Sequence, residues 1–183
     1  MITVVIPTSN DERPLARMLP PLVHELIHGP VTDVIVYDQA SSDSTLEVCE
    51  IAGCACVDAT RIPLADALKK ARANWLLFLP PGAVLAQGWS THVAEYIDHQ
   101  QGGGAPAVFK IATDPTLNWW QRLFRSSKAQ HPVLPKGYLV SYRQAQMVLA
   151  QGGTTIEALV RGRATKRLRA EIQLPLPNEA AIA

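Results

Sequence analysis

Val31-Thr32-Asp33-Val34-Ile35-Val36-Tyr37-Asp38-Gln39-Ala40-Ser41-Ser42-Asp43-Ser44-Thr45-Leu46-Glu47 is the stretch on which the fold of this chain turns. Val34, Ile35 and Val36 form an apolar, β-branched run, the pattern of a strand buried on both faces. The run ends at Tyr37-Asp38, and a small polar turn follows. Ser44-x-x-Glu47 then reads as a capping box that opens a helix. Open α/β sheets hold ligands where a buried parallel strand ends in a carboxylate and turns tightly into a helix. A plain βα turn uses the same residues merely to cap, so both roles stand at this point.

Working outward, residues 2–6 form another buried strand, broken by Pro7-Thr8-Ser9-Asn10. Ser9-x-x-Glu12 is a second capping box. Leu15, Met18, Leu19, Leu22, Val23, Leu26 and Ile27 give the helix that follows an apolar stripe. Pro20-Pro21 should kink or restart it, and Gly29-Pro30 should end it. Strands are expected over 54–58 and 75–79, and helices over 44–51, 64–72 and 89–99. This alternation predicts an α/β fold, a mostly parallel sheet with helices on both faces. The glycine-rich 100–104 reads as a loop, not a boundary, because 105–111 is strand-like. An amphipathic helix over 117–125, helices over 142–150 and 156–161 and a strand over 166–173 follow. The tail after Leu174 should be loose.

At 183 residues the chain suits one domain. Its 48% hydrophobic and 18% charged residues are ordinary for a globular protein, and a net charge of +1 gives no reason to expect nucleic acid. No apolar run approaches the roughly 20 residues that cross a bilayer. No basic leader precedes the first strand, so a cytoplasmic protein is expected, with Cys49, Cys54 and Cys56 as reduced packing residues.

The order of these elements and their motifs resemble glycosyltransferase family 2, nucleotide-sugar transferases of the GT-A fold. Val4-Val5-Ile6-Pro7-Thr8-Ser9-Asn10-Asp11-Glu12 is similar to the family's first strand and its P-x-x-N-E/D-E turn. Ile35-Val36-Tyr37-Asp38-Gln39-Ala40-Ser41-Ser42-Asp43-Ser44-Thr45 is similar to its strand followed by D-D/G-G-S-S/T-D-x-T. Leu134-Pro135-Lys136-Gly137 and the Trp119/Trp120 segment resemble a short bacterial branch. The likeness covers about residues 2–95 well and the rest loosely. It implies a nucleotide-binding half over 1–100, an acceptor-side half over 101–174 and a loose tail over 175–183. It further implies that Pro7 and Thr8 line a nucleotide pocket. Asp38 would accept hydrogen bonds from base or ribose, with Glu12 near the same sugar. Ser41, Ser42 and Asp43 would shape the turn, and Asp66 occupies the family's Asn/Asp position.

The family ends its fourth strand in Asp-x-Asp or His-Ala-Asp, whose carboxylate holds a divalent ion against the diphosphate. Here Leu79-Pro80-Pro81-Gly82-Ala83 stands there, and no Asp-x-Asp occurs in the chain. The usual metal is therefore not expected. Gln39 and Ala40 replace residues that are acidic or Gly in many relatives, and Leu68 replaces a common Gly. After Lys136-Gly137, Tyr138-Leu139 replaces Asp-Gln, leaving Glu157 as the nearest candidate base.

Two readings follow from these departures. One is a metal-free transferase acting on a nucleoside diphosphate sugar, the acceptor unidentified, with Arg61, Lys69, Arg72, Lys136 and the Arg161/Arg163/Lys166 cluster supplying charge. The other is a catalytically inactive GT-A module that binds nucleotide or a partner. A remote third reading is a zinc metallopeptidase, because His24-Glu25-Leu26-Ile27-His28 matches H-E-x-x-H. Both imidazoles should face solvent, opposite the leucine stripe. Trp119 and Trp120, with Arg122, Arg125 and Lys128 nearby, offer a peripheral contact at the inner face of a membrane, or else a core-facing helix edge. Arg161 to Arg169 would meet phosphates or anionic lipid, or form a solvated face.

Overall fold

The computed structural model describes residues 1–100, 104–112, 134 and 136–174. In chain order the elements are β1 (Ile2–Thr8), α1 (Glu12–His28), β2 (Val31–Asp38), α2 (Thr45–Ile51), β3 (Ala55–Asp58), α3 (Leu64–Ala67), β4 (Trp75–Phe78) and β5 (Val84–Leu85). They continue with α4 (Trp89–Asp98), β6 (Ala107–Ile111), β7 (Tyr138–Ser141), α5 (Tyr142–Ala150), α6 (Ile156–Val160) and β8 (Lys166–Gln173).

The described strands form one sheet of eight, in the order β3-β2-β1-β4-β7-β6-β8-β5. The first four are parallel, and β8 also runs parallel to β6. β7 is antiparallel to both its neighbours, as is β5 to β8. The chain winds outward from β1 through β2 to β3 and returns to pair β4 on the far side of β1. The strand order thus reverses between β1 and β4, and open α/β sheets bind ligands at the carboxyl ends of the strands at such a point.

Alternating side chains divide the interior into two cores, one on each face. Val4, Ile6 and Leu77 pack with Leu15, Leu19 and Leu22 of α1 and with Trp89 and Val93 of α4. Val5, Ile35, Leu76 and Phe78 face the other way, against Leu64 and Leu68, Ala145 and Val148 of α5 and Leu159 of α6.

Three local expectations differ from what the structure holds. α1 is continuous through Pro20 and Pro21. Both prolines are exposed, so their rings meet solvent and not a neighbouring element. The helix expected over 64–72 is one α turn followed by a 3-10 turn, Leu68–Lys70. Arg72 pulls the chain away there, its N–H donating to Asp33 and its guanidinium to Thr32 O at 2.7 Å. Tyr138–Ser141, read only as a departure from a family motif, is a buried strand. Four residues are too few for periodicity to reveal, and Gly137 enters the strand with φ 60°, where Leu79 and Phe109 crowd the place of any Cβ.

Trp119, Trp120 and the helix expected around them lie outside the described residues. Among the described residues no helix is long and apolar enough to cross a membrane.

Candidate functional site

β1, β2 and β3 end level with one another: Thr8 lies opposite Asp38, and Asp38 opposite Asp58. Thr8 is fully buried and Asp38 is only 4% exposed. A buried carboxylate needs hydrogen-bond donors, and Asp38 finds two in the turn it starts. Ser41 N–H donates to Oδ2 at 3.1 Å and the Ser41 hydroxyl donates to Oδ1. A carboxylate has about four lone-pair positions, so Asp38 keeps acceptor capacity for a further donor.

The turns after β1 and β2 are laced together. Asn10 N–H donates to Ser41 Oγ at 2.8 Å, and Asn10 Oδ1 accepts from Ser42 N–H at 2.7 Å and from the Ser42 hydroxyl at 3.2 Å. Thr45 Oγ1 accepts from Asp11 N–H at 3.0 Å. Asp43 takes Thr45 N–H on Oδ1 at 3.0 Å and Glu12 N–H on Oδ2 at 3.2 Å, so one side chain satisfies donors at the starts of both α2 and α1. Desolvation raises the Asp43 carboxyl, but hydrogen bonds from the Thr45 side chain and from the Glu12 and Thr45 backbone outweigh it and hold the group below its ordinary value.

These bonds replace both expected capping boxes: neither α1 nor α2 carries a side-chain cap from its own N-cap residue. Asp11 instead turns back, its Oδ2 accepting from Thr8 Oγ1 at 3.0 Å and Ser9 N–H at 2.9 Å. A capping box is a local solution. Here partners about thirty residues away supply the same satisfaction and join the two loops.

The structure thus brings Thr8, Glu12, Asp38, Ser41 and Asp43 together at the carboxyl ends of β1 and β2, with Pro7 buried in β1 just before them. The Thr8 hydroxyl is spent on Asp11, the Ser41 hydroxyl on Asp38 and Asn10 N–H, and the Asp43 carboxylate on Thr45 and Glu12 N–H. Glu12 contributes its backbone N–H, and among the described residues its half-exposed carboxylate makes no hydrogen bond. Ala40 sits at φ 58°, the left-handed region that favours glycine.

Asp66 is exposed on α3 and paired with Lys69 Nζ at 2.6 Å. Glu157 is in the first turn of α6. Asp58 was not singled out from sequence, although Val57-Asp58-Ala59-Thr60 repeats the strand-then-carboxylate pattern of Tyr37-Asp38. It accepts from Thr60 N–H at 2.8 Å and Thr60 Oγ1 at 2.6 Å, and pairs with Arg61 Nε at 3.2 Å. Those Thr60 bonds, more than Arg61, hold its carboxyl below the ordinary value.

Under the β2 turn, Cys49 and Cys56 make a thiol contact, and all three cysteines are free. Burial, then the neighbouring Cys56, pushes Cys49 up to about 12. His24 and His28 are exposed on α1, with ring centroids 4.8 Å apart. Among the described residues, no group of three His, Cys, Asp or Glu side chains is arranged to hold a metal ion.

No family model and no curated protein sequence matches the chain. Solved structures do. Mannosyl-3-phosphoglycerate synthase from Rubrobacter xylanophilus superposes with a TM-score of 0.60 at 13% identity, over 99% of this chain and 69% of that one. Glucosyl-3-phosphoglycerate synthase from Mycobacterium tuberculosis gives 0.59 at 13% identity, over 98% and 75%. The same enzyme in complex with uridine diphosphate gives 0.56 at 17% identity, over 79% of this chain and 57% of that one. The chain has a GT-A fold. In that last superposition it spans little more than half of the relative's length.

The resemblance expects the metal motif at Leu79-Pro80-Pro81-Gly82-Ala83, the stretch that follows β4. Leu79, Pro80 and Pro81 are buried, and Ala83 N–H closes the turn onto Pro80 O at 3.2 Å. A divalent hard cation seeks several oxygens, carboxylates first. This turn presents backbone carbonyls only, one of them already used. As a donor set it does not fit the ion.

Proposed function

We propose that this chain is a protein of the glycosyltransferase family 2 type that takes a nucleoside diphosphate sugar at the carboxyl ends of β1 and β2. The observation that carries the reading is a buried carboxylate, Asp38, ending β2 opposite Thr8 on a GT-A sheet. Its spare acceptor capacity suits a base N–H or a ribose hydroxyl. Structures of the M. tuberculosis enzyme include complexes with UDP and complexes with UDP-glucose and Mn²⁺. In the present chain the turn after β4 argues for a donor site without that metal.

In the transfer reaction, the acceptor hydroxyl gives its proton to a base as its oxygen attacks the anomeric carbon, and the bond to the diphosphate breaks with its electron pair leaving on the diphosphate. Glu157 is the candidate base. Arg61, Lys69 and Arg72 are already engaged with Asp58, Asp66 and Thr32 O. Lys136 and the exposed Arg161, Arg163 and Lys166 are therefore the better cations for the departing charge. The reading takes residues 1–183 as one domain, with nucleotide held by 1–100 and Pro7, Thr8, Glu12, Asp38, Ser41, Asp43 and Asp66 as its binding set.

A second reading, a GT-A module that binds without turnover, is favoured by the same metal-poor turn. The zinc peptidase reading has no third ligand among the described residues to support it. Calorimetric titration with UDP, GDP and their sugar conjugates, with and without Mn²⁺, tests these readings. Micromolar binding that is abolished in Asp38→Ala and indifferent to Mn²⁺ is expected. No binding of any nucleotide in either condition overturns the proposal, and binding without sugar transfer to any acceptor selects the second reading.

A further inference from the structure

The last two turns of α1 carry two imidazoles, His24 and His28, both exposed. Residues four apart stand side by side on one face of a helix. The final turn is held in register, because Gly29 N–H donates to Glu25 O at 2.9 Å. The two rings have centroids 4.8 Å apart and planes tilted by 49°, so they are not stacked face to face. Among the described residues neither ring takes part in a hydrogen bond or an ion pair.

Two imidazoles at this separation have the spacing of a chelate. With metal–nitrogen bonds of about 2.0–2.1 Å, a ring centroid lies about 3.2 Å from an ion held by one of its nitrogens. A centroid separation of 4.8 Å then corresponds to a nitrogen–metal–nitrogen angle of about 97°. That value falls between the right angle of neighbouring ligands in a tetragonal site and the wider tetrahedral angle. The position adds to the geometry. Aligned peptide dipoles leave negative partial charge at a helix C-terminus, which favours a cation there. Glu25 brings a carboxylate to the same turn, folded against Gly29 in the space a Cβ would fill.

We propose that His24 and His28 chelate a divalent transition ion of the Ni²⁺, Cu²⁺ or Zn²⁺ class on the surface of α1. Neutral imidazole suits these ions, whereas Mg²⁺ and Ca²⁺ seek oxygen. Among the described residues no third His, Cys, Asp or Glu is arranged to join the pair, so water takes the remaining coordination positions. The pair lies about 18–24 Å along the helix axis from Glu12 at the other end of α1. The proposal therefore does not rest on nucleotide binding.

Calorimetric titration of the whole, untagged chain with NiCl₂ and with ZnCl₂ tests it, at about pH 7.5, where imidazole is neutral. Binding that is lost in the double variant His24→Ala/His28→Ala is expected. Each single variant should weaken it by about tenfold or more, because the second bond is intramolecular only while both rings are present. Affinity should fall as pH drops through about 6.5, where protons compete for the rings. MgCl₂ should give no binding at this pair, and Asp38→Ala should leave Ni²⁺ binding unchanged. An ion that binds only the folded helix should also raise the urea midpoint of the wild type and not that of the double variant. Both positions are exposed, so without metal the variants should unfold close to the wild-type midpoint, which certifies their fold. Undiminished binding in the double variant, or no binding of either ion up to about 1 mM, overturns the proposal.

Discussion

Asn10 holds the β2 turn from the other loop, its Oδ1 accepting from Ser42 twice while its own backbone sits at φ 56°. Asn tolerates that left-handed conformation better than most residues, because its short amide bonds locally. Asn10→Ala loses the acceptor and keeps the strain, and should cost about 1–2 kcal/mol in urea denaturation. Asn10→Gly relieves the strain and should cost less. Ala40→Gly, at φ 58°, should gain up to about 1 kcal/mol without changing the denaturant slope. Two titrations bracket the stable pH range. Asp43 is held below its ordinary 3.8, so its contribution is present above that pH and is lost as pH falls through the lowered value. Asp43→Asn should flatten that acid slope. Cys49 moves the other way, from 9.0 to about 12, so its contribution is complete below pH 9.0 and is lost as pH rises toward 12. Cys49→Ala should remove that alkaline slope, read from unfolding free energies measured across pH.

At the scale of elements, α1 carries two prolines that remove N–H donors to the carbonyls one turn earlier. Since both are exposed, Pro21→Ala restores a bond without disturbing the core, and should raise stability by about 1–3 kcal/mol in thermal unfolding. The elements legible in sequence were those long enough to show a period: α1 from its leucine stripe, and β1, β2 and β4 from apolar runs between breakers. β5, of two residues, and β7, of four, carry no period and owe their existence to neighbours. The site divides in the same way. Asp38, Ser41 and Asp43 were legible because a strand, a turn and a helix start follow one another along the chain. The capping boxes misled because Thr45 and Asp43 belong to the other loop's donors, which only the pairing of β1 with β2 brings near. Asp58 ends a strand expected from the sequence, but no capping box follows it, so nothing marked its carboxylate as part of a site.

For the whole molecule, the sheet is a partition between two cores, and Leu76 and Leu77 stand back to back across it, both fully buried. Each truncation to Ala should cost about 2–5 kcal/mol. Because the two side chains share no packing neighbours, the double variant should cost their sum within about 0.5 kcal/mol, measured by denaturant unfolding. Marked non-additivity would mean that the faces communicate through the strand. The strand order has a further consequence for how the protein is made. β1 to β4 are complete once residue 78 has been synthesised, and the four can pair as they leave the ribosome. Among the described residues β5 pairs with β8 alone, whose last residue is Gln173. At ordinary translation speed the wait from Leu85 to Gln173 is on the order of 5–15 s. For that interval the nascent polypeptide carries an orphan strand beside a finished half-sheet, and slower codons in this window would lengthen its exposure to mispairing.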